Sequence, residues 1–269
     1  MQIKNIMKIS EKISIVSTCP ARLFNHEGQG VWEGIQKYYP NINFYFYHEN
    51  SFEKKQTGDF INFNDIDIPP NYHIFDLFEL YDDLEGFLKT SEFNTCDALS
   101  TLANDPSTRE YWNRNSIYWF RKTPSIFHAS KICTTPLLLF LDADSYITPS
   151  NSGASDEFDI NEDYINWALQ HDVLSRHRKP THTETGHIVF NLEKRGRELA
   201  EKFYSYYRTG KAFGEYRWDD CWIFDVLTEK LKVSNGPLSV ATGAPYNFES
   251  IIDHHKGEWK DIRTLRKGI

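Results

Sequence analysis

Residues 136–147, "PLLLFLDADSYI", constrain the fold more than any other stretch of the chain. The run from Leu137 to Leu141 is apolar at every position, so a strand built from it is apolar on both faces. Such a strand must be covered on both sides, as a central strand of an α/β sheet is. The run stops at Asp142, and one small residue separates that acid from Asp144. Ligands of open α/β sheets sit outside the carboxyl ends of the strands, so the two acids stand where a site is expected. Acids two apart on an extended segment project the same way. They can converge on one divalent ion, or divide between an ion and a ligand hydroxyl. Their hard oxygens suit Mg²⁺ or Mn²⁺, with a diphosphate supplying further ligands. The alternative is a plain turn, in which Asp142 caps backbone and Asp144 is solvated.

The flanking sequence supplies the rest of an α/β sheet. "KISIVSTC" reads as a buried first strand, "GVWEGIQKYYP" as a helix closed by Pro40, and "INFYFYHEN" as an aromatic second strand. Together they form a β-loop-α-β unit with parallel strands. "YHIFDLFELYDDLEGFLKT" has the spacing of an amphipathic helix with an acidic face, and "SIYWFRKTPSIFHAS" that of a helix interrupted at Pro124. Further on come a helix in "DINEDYINWALQHDV", a strand in "ETGHIVFNL" and a helix in "EKRGRELAEKFYSYYRTG" ended by Gly210. "WDDCWIFDVLTEKL" begins another helix with Asp219 and Asp220, where the helix dipole favours negative charge. No internal repeat or low-complexity linker divides the 269 residues, which predicts one domain over residues 1–269.

Composition excludes several function classes. A net charge of -8 argues against general nucleic-acid binding, which needs a basic footprint. No apolar stretch approaches the roughly 20 residues of a membrane span, and the start of the chain lacks the apolar run of a signal peptide. Cys19, Cys96, Cys133 and Cys221 are scattered without a paired motif, so a reducing, cytoplasmic location is expected.

"LLLFLDADSYI" resembles the DxD motif of nucleotide-sugar glycosyltransferases with the GT-A fold. "ETGHIVFNLEKRG", "YRWDDCWIFDVL" and "DHHKGEWK" are similar, in that order, to segments of a group of bacterial and phage glycosyltransferase-like proteins. The resemblance covers most of the chain from Lys122 to Lys260. It implies a Rossmann-like, mixed but mostly parallel sheet flanked by helices in a single domain. Residues 1–144 would then be mainly the nucleotide-binding half, and residues 145–269 mainly the half that binds the acceptor and completes the metal site. The activity implied is transfer of a sugar from a nucleoside-diphosphate sugar, a UDP-sugar, to a glycan, lipid or protein acceptor, with Mn²⁺ or Mg²⁺ as cofactor.

The same resemblance implies site residues. Ser17, Thr18 and Cys19, then Tyr47 and Glu49, would surround the base and ribose, while Arg121 and Lys122 could reach ribose or phosphate. Asp144 would be the preferred metal ligand, with Asp142 on ribose or metal. His254, Gly257 and Lys260 match the H-x-x-G-x-x-K spacing of retaining enzymes related to glycogenin, although the Pro-Trp that follows there is missing. His254, or His255 in its place, would complete the metal site, and Lys256 or Lys260 would offset charge on the departing diphosphate. Asp220, at the helix start, is the first choice for a general base in an inverting reaction. Glu184 is the second choice, or a ligand of the donor sugar, and Asn191 is a lesser candidate. The glycogenin-like spacing leans towards retention. Two other readings stay open: a non-catalytic nucleotide-sugar-binding module of the same fold, and a haloacid-dehalogenase-type phosphatase, which also places D-x-D after an apolar strand.

Overall fold

The computed structural model describes residues 8–82, 84–85, 106–147, 160–178, 182–215, 217–245, 248 and 252–254. A seven-stranded sheet forms the centre, in the order β3-β2-β1-β4-β7-β6-β8. Its strands are β1 (Ile13–Thr18), β2 (Phe44–His48), β3 (Tyr72–Asp76), β4 (Leu137–Asp142), β6 (Val173–Arg178), β7 (His182–Asn191) and β8 (Asn235–Pro237). β1 pairs parallel with both β2 and β4, and β2 pairs parallel with β3. β7 runs antiparallel to β4 and β6, and β6 and β8 are parallel, so the sheet is mixed but mostly parallel. Two short strands, β5 (Ser145–Ile147) and β9 (Ile252–His254), pair antiparallel outside it.

The apolar letters of β4 are explained by the two cores it separates. Leu137, Leu139 and Leu141 face a core shared with helices α1 (Gln29–Tyr38) and α2 (Glu162–Gln170), through residues such as Trp32, Ile35, Tyr164 and Ile165. Leu138 and Phe140 face the opposite core, with α3 (Pro106–Ile132), α4 (Gly196–Arg208) and α5 (Asp220–Leu231). Phe120, Phe203 and Phe224 fill that side. α4 starts hard against the end of β7: a Cβ on Gly196 would lie 2.4 Å from the Asn191 carbonyl oxygen, so only glycine fits.

Two expectations are corrected. The stretch read as one amphipathic helix from Tyr72 opens as strand β3, followed by a short turn of helix, Leu77–Leu80. Asp76 caps that turn by accepting from the Phe78 N–H at 3.0 Å. The helix expected to break at Pro124 instead runs through it. Proline leaves the carbonyl four residues back without its amide partner, and the Thr123 hydroxyl donates to that Phe120 oxygen at 2.9 Å. The local replacement lets α3 carry residues 119–123 past the sheet as one rod.

Candidate functional site

A cleft of about 350 Å³ opens at the carboxyl ends of β1, β2 and β4, the place the apolar strand and its acids pointed to. Thr18 and Pro20 follow β1, Glu49 follows β2, and Asp142, Ala143 and Asp144 close β4; all line it. Arg22 and Leu23 come from the short helical turn Ala21–Leu23 after β1, and Trp119, Arg121 and Lys122 from α3. Thr18 Oγ1 is buried and has no hydrogen-bond partner among the described residues.

Lys122 organises the acids. Its Nζ lies 2.8 and 2.9 Å from the two carboxylate oxygens of Asp142, and 2.5 Å from Asp220 Oδ2. The same Asp220 oxygen accepts from the Thr185 hydroxyl at 2.6 Å, and its other oxygen from the Cys221 N–H at 3.1 Å. β4, β7, α3 and the start of α5 therefore meet at one charged knot. Burial alone would lower the Lys122 pKa, but the Asp142 and Asp220 carboxylates outweigh it and hold the ammonium charged, above its ordinary range. Asp219, the neighbouring acid, has a different task. It is the helix cap of α5, accepting from the Trp222 N–H at 3.1 Å, and it pairs with Arg217 Nε at 2.8 Å.

A second buried pair sits on the β2 side. Arg121 Nη1 is 2.7 Å from Glu49 Oε2, and Glu49 is 1% exposed. The guanidinium lies over the rings of Phe52 and Phe78, whose centroids are 5.2 and 5.7 Å away. Burial pushes the Glu49 carboxyl up to about 7 in spite of the Arg121 charge beside it. Glu53, one helical turn later, accepts from the Ala21 N–H and faces Arg22 at 3.5 Å, which fixes the helical turn Ala21–Leu23 after β1.

The structure thus gathers Thr18, Glu49, Lys122, Asp142 and Asp144 at one cleft, with Asp220 reached through Lys122. Ser17 and Tyr47 are not among the lining residues. Ser17 is fully buried on the strand face opposite Thr18, because side chains alternate along β1. Tyr47 is 0% exposed and its hydroxyl lies 2.7 Å from His128 Nδ1, inside the core rather than at the cleft. Glu184 is 1% exposed and lies 3.8 Å from Arg176 Nη1, while its neighbour Thr185 is the residue that touches the knot. Asn191 holds the backbone of Leu169, His171 and Glu193, a structural task.

β9 brings the backbone of His254 opposite Ser145, one residue beyond Asp144. Lys256 and Lys260 lie outside the described residues. An oxygen-rich acid pair with an imidazole-bearing residue alongside is a donor set that suits Mn²⁺ or Mg²⁺, so the residues present fit such an ion. The group formed by Asp219, Asp220 and Cys221 also lies close together, but the cap, the Arg217 pair and Lys122 account for its acids.

The sequence matches no family model and no curated protein. The fold does have counterparts among solved structures. It is similar to the mannosyltransferase Ktr4p from S. cerevisiae in complex with GDP, with a TM-score of 0.52 and 10% identity over 83% of this chain and 68% of that one. A glycosyltransferase involved in glycosylation of the major capsid of PBCV-1 matches at a TM-score of 0.49, with 13% identity over 96% of this chain and 98% of that one. The glycosyltransferase GlyE of Streptococcus pneumoniae TIGR4 matches at 0.48, with 10% identity over 96% of this chain, which spans 60% of GlyE's length. The mixed, mostly parallel sheet flanked by helices is the GT-A fold. Among the described residues no helix is long and apolar enough to cross a membrane.

Proposed function

We propose that this protein is a metal-dependent glycosyltransferase that takes its sugar from a nucleoside-diphosphate donor, a UDP-sugar in the first instance. The observation that carries this reading is the cleft at the ends of β1, β2 and β4, where Lys122 joins the first acid of the DxD to Asp220. A cleft of this size, with apolar walls at Pro20, Leu23 and Trp119 and charged groups at its floor, suits a nucleotide with the base between the walls. Asp144, Asp142 and His254 would hold the divalent ion, which would supply positive charge to the diphosphate as it leaves.

The chain's own residues favour retention over inversion. Asp220 already accepts from Lys122, Thr185 and the Cys221 amide, so both its oxygens are engaged within the protein. Glu184 is shut in the sheet beside Arg176. With both carboxylates occupied, the acceptor hydroxyl hands its proton to the departing diphosphate oxygen. As it does so, its own oxygen bonds to the anomeric carbon on the face the diphosphate leaves. Lys122, and Lys256 or Lys260, would steady that departing charge. Asp220 serves here by holding Lys122 rather than as a base. The acceptor is a glycan, lipid or protein. The cytoplasmic setting expected from the scattered cysteines is part of this reading.

A haloacid-dehalogenase-type phosphatase is disfavoured, because its D-x-D strand normally lies near the start of the chain, whereas β4 here comes past mid-chain beside an antiparallel strand. Donor hydrolysis by the purified protein across UDP-, GDP- and ADP-sugars, with and without Mn²⁺, is the decisive experiment. Metal-dependent release of nucleoside diphosphate from one of them is expected. Donor binding without release would make the protein a binding module, and neither binding nor release with any donor would overturn the reading.

A further inference from the structure

Lys122 is bonded to one of the two acids to which the divalent ion is assigned above. An ammonium has three protons and no acceptor. Here it meets both oxygens of Asp142 at 2.8 and 2.9 Å and Asp220 Oδ2 at 2.5 Å. Asp220 is anchored in turn by Thr185 and by the Cys221 amide, so it is a fixed tether rather than a mobile partner. Asp142 stands at the strand end, two residues from Asp144, and both acids face the same cleft. A divalent cation drawn to these two acids would lie within a few ångströms of the Lys122 charge. In a partly buried cleft, repulsion between like charges at that range is strong. A diphosphate changes the balance, because its oxygens can accept from the ammonium and ligate the cation at once.

Resting on the nucleotide-sugar reading above, we propose that Lys122 is a resident counter-ion that blocks Asp142 from a divalent cation in the empty protein, so that cation and nucleoside diphosphate enter as a coupled pair. Removing the ammonium frees Asp142 and weakens the coupling. By linkage the coupling acts equally in both directions: the cation strengthens diphosphate binding by the factor with which the diphosphate strengthens cation binding.

The test is equilibrium binding of Mn²⁺, followed by the electron paramagnetic resonance of the free ion, with and without UDP or GDP. Lys122→Met should bind Mn²⁺ alone about tenfold more tightly than the wild type, and the enhancement by the diphosphate should shrink by a similar factor. Lys122→Arg keeps the charge and should keep the wild type's weak binding of Mn²⁺ alone. Circular dichroism checks folding, and Lys122→Gln, which donates to both acids without charge, replaces the Met variant if that one fails to fold. Equal Mn²⁺ affinity in the charge-free variant and the wild type, or an unchanged enhancement, overturns the proposal while leaving the donor reading intact. Failure of every variant to bind UDP or GDP, with or without metal, overturns the donor reading and the coupling with it.

Discussion

Arg121 and Lys122 are neighbours on one helix, and each is spent on buried acid, yet they do opposite things. Arg121 is clamped: its guanidinium covers Phe52 and Phe78 and meets Glu49 in a pair with little freedom to rearrange. Its planar, delocalised charge suits that fixed, stacked setting. Lys122 is a compact charge on a flexible stem, set among acids from β4 and α5, and can trade one oxygen for another. The first pair welds α3 to the β2 side of the sheet. The second leaves a charge that can be handed to an incoming ligand. On the proposed reading one helix serves stability and chemistry at successive positions, which the two side chains' different shapes make possible.

If that division is right, changes near Lys122 register in turnover and changes near Arg121 register in stability. The largest effect is expected at Asp144, the preferred ligand of the proposed ion. Asp144→Ala should lower donor hydrolysis by about a hundredfold or more, with the urea midpoint unchanged. Retention of metal-dependent hydrolysis in both Asp144→Ala and His254→Ala would break the assignment of the ion to this end of the sheet.

The next effect is one of pH, on the other pair. Glu49 is raised from an ordinary 4.5 to about 7 because its carboxyl is buried. The folded protein therefore binds this proton more tightly than the unfolded chain does. The resulting stability is full below about pH 4.5 and is lost as pH rises through 7. Across that window the wild type should lose on the order of 3 kcal/mol relative to Glu49→Gln, whose amide does not titrate. Denaturant titrations at several pH values would show it, and identical profiles for the two proteins would break the comparison. The smallest effect concerns a residue outside both pairs. Tyr47→Phe removes the bond to His128 and should cost about 1 kcal/mol while leaving the donor KM as it was. A raised KM would return Tyr47 to the cleft.

Much of this was legible in the chain. β4, its two cores and its terminal acids followed from an unbroken apolar run with a polar end, since burial on both faces admits few other readings. The helix from Gly196 and the capped helix at Asp220 followed from periodicity and turn chemistry. Two acids side by side at a helix start could not be told apart by sequence, because capping and ligand contact ask for the same residue type. The Trp222 amide and Arg217 on one, and Lys122 and Thr185 on the other, separate Asp219 from Asp220. Tyr47 misled for a related reason: nearness to a strand end says nothing about which face a side chain takes. In "ETG" the charged Glu184 drew attention, but the hydroxyl beside it makes the contact with Asp220. The knot itself joins residues from β4, β7, α3 and α5, and pairings across such distances leave no local pattern to read.

The small β5–β9 ladder has a consequence for how the protein is made. It joins the segment just after Asp144 to a segment more than a hundred residues later, through a register of three residue pairs. Closing so long a stretch of chain for so few pairings is entropically expensive, so this ladder belongs to the end of folding, after both cores have formed. On the proposed reading, the backbone that sets His254 opposite the residue after Asp144 is therefore in place only once the sheet has formed.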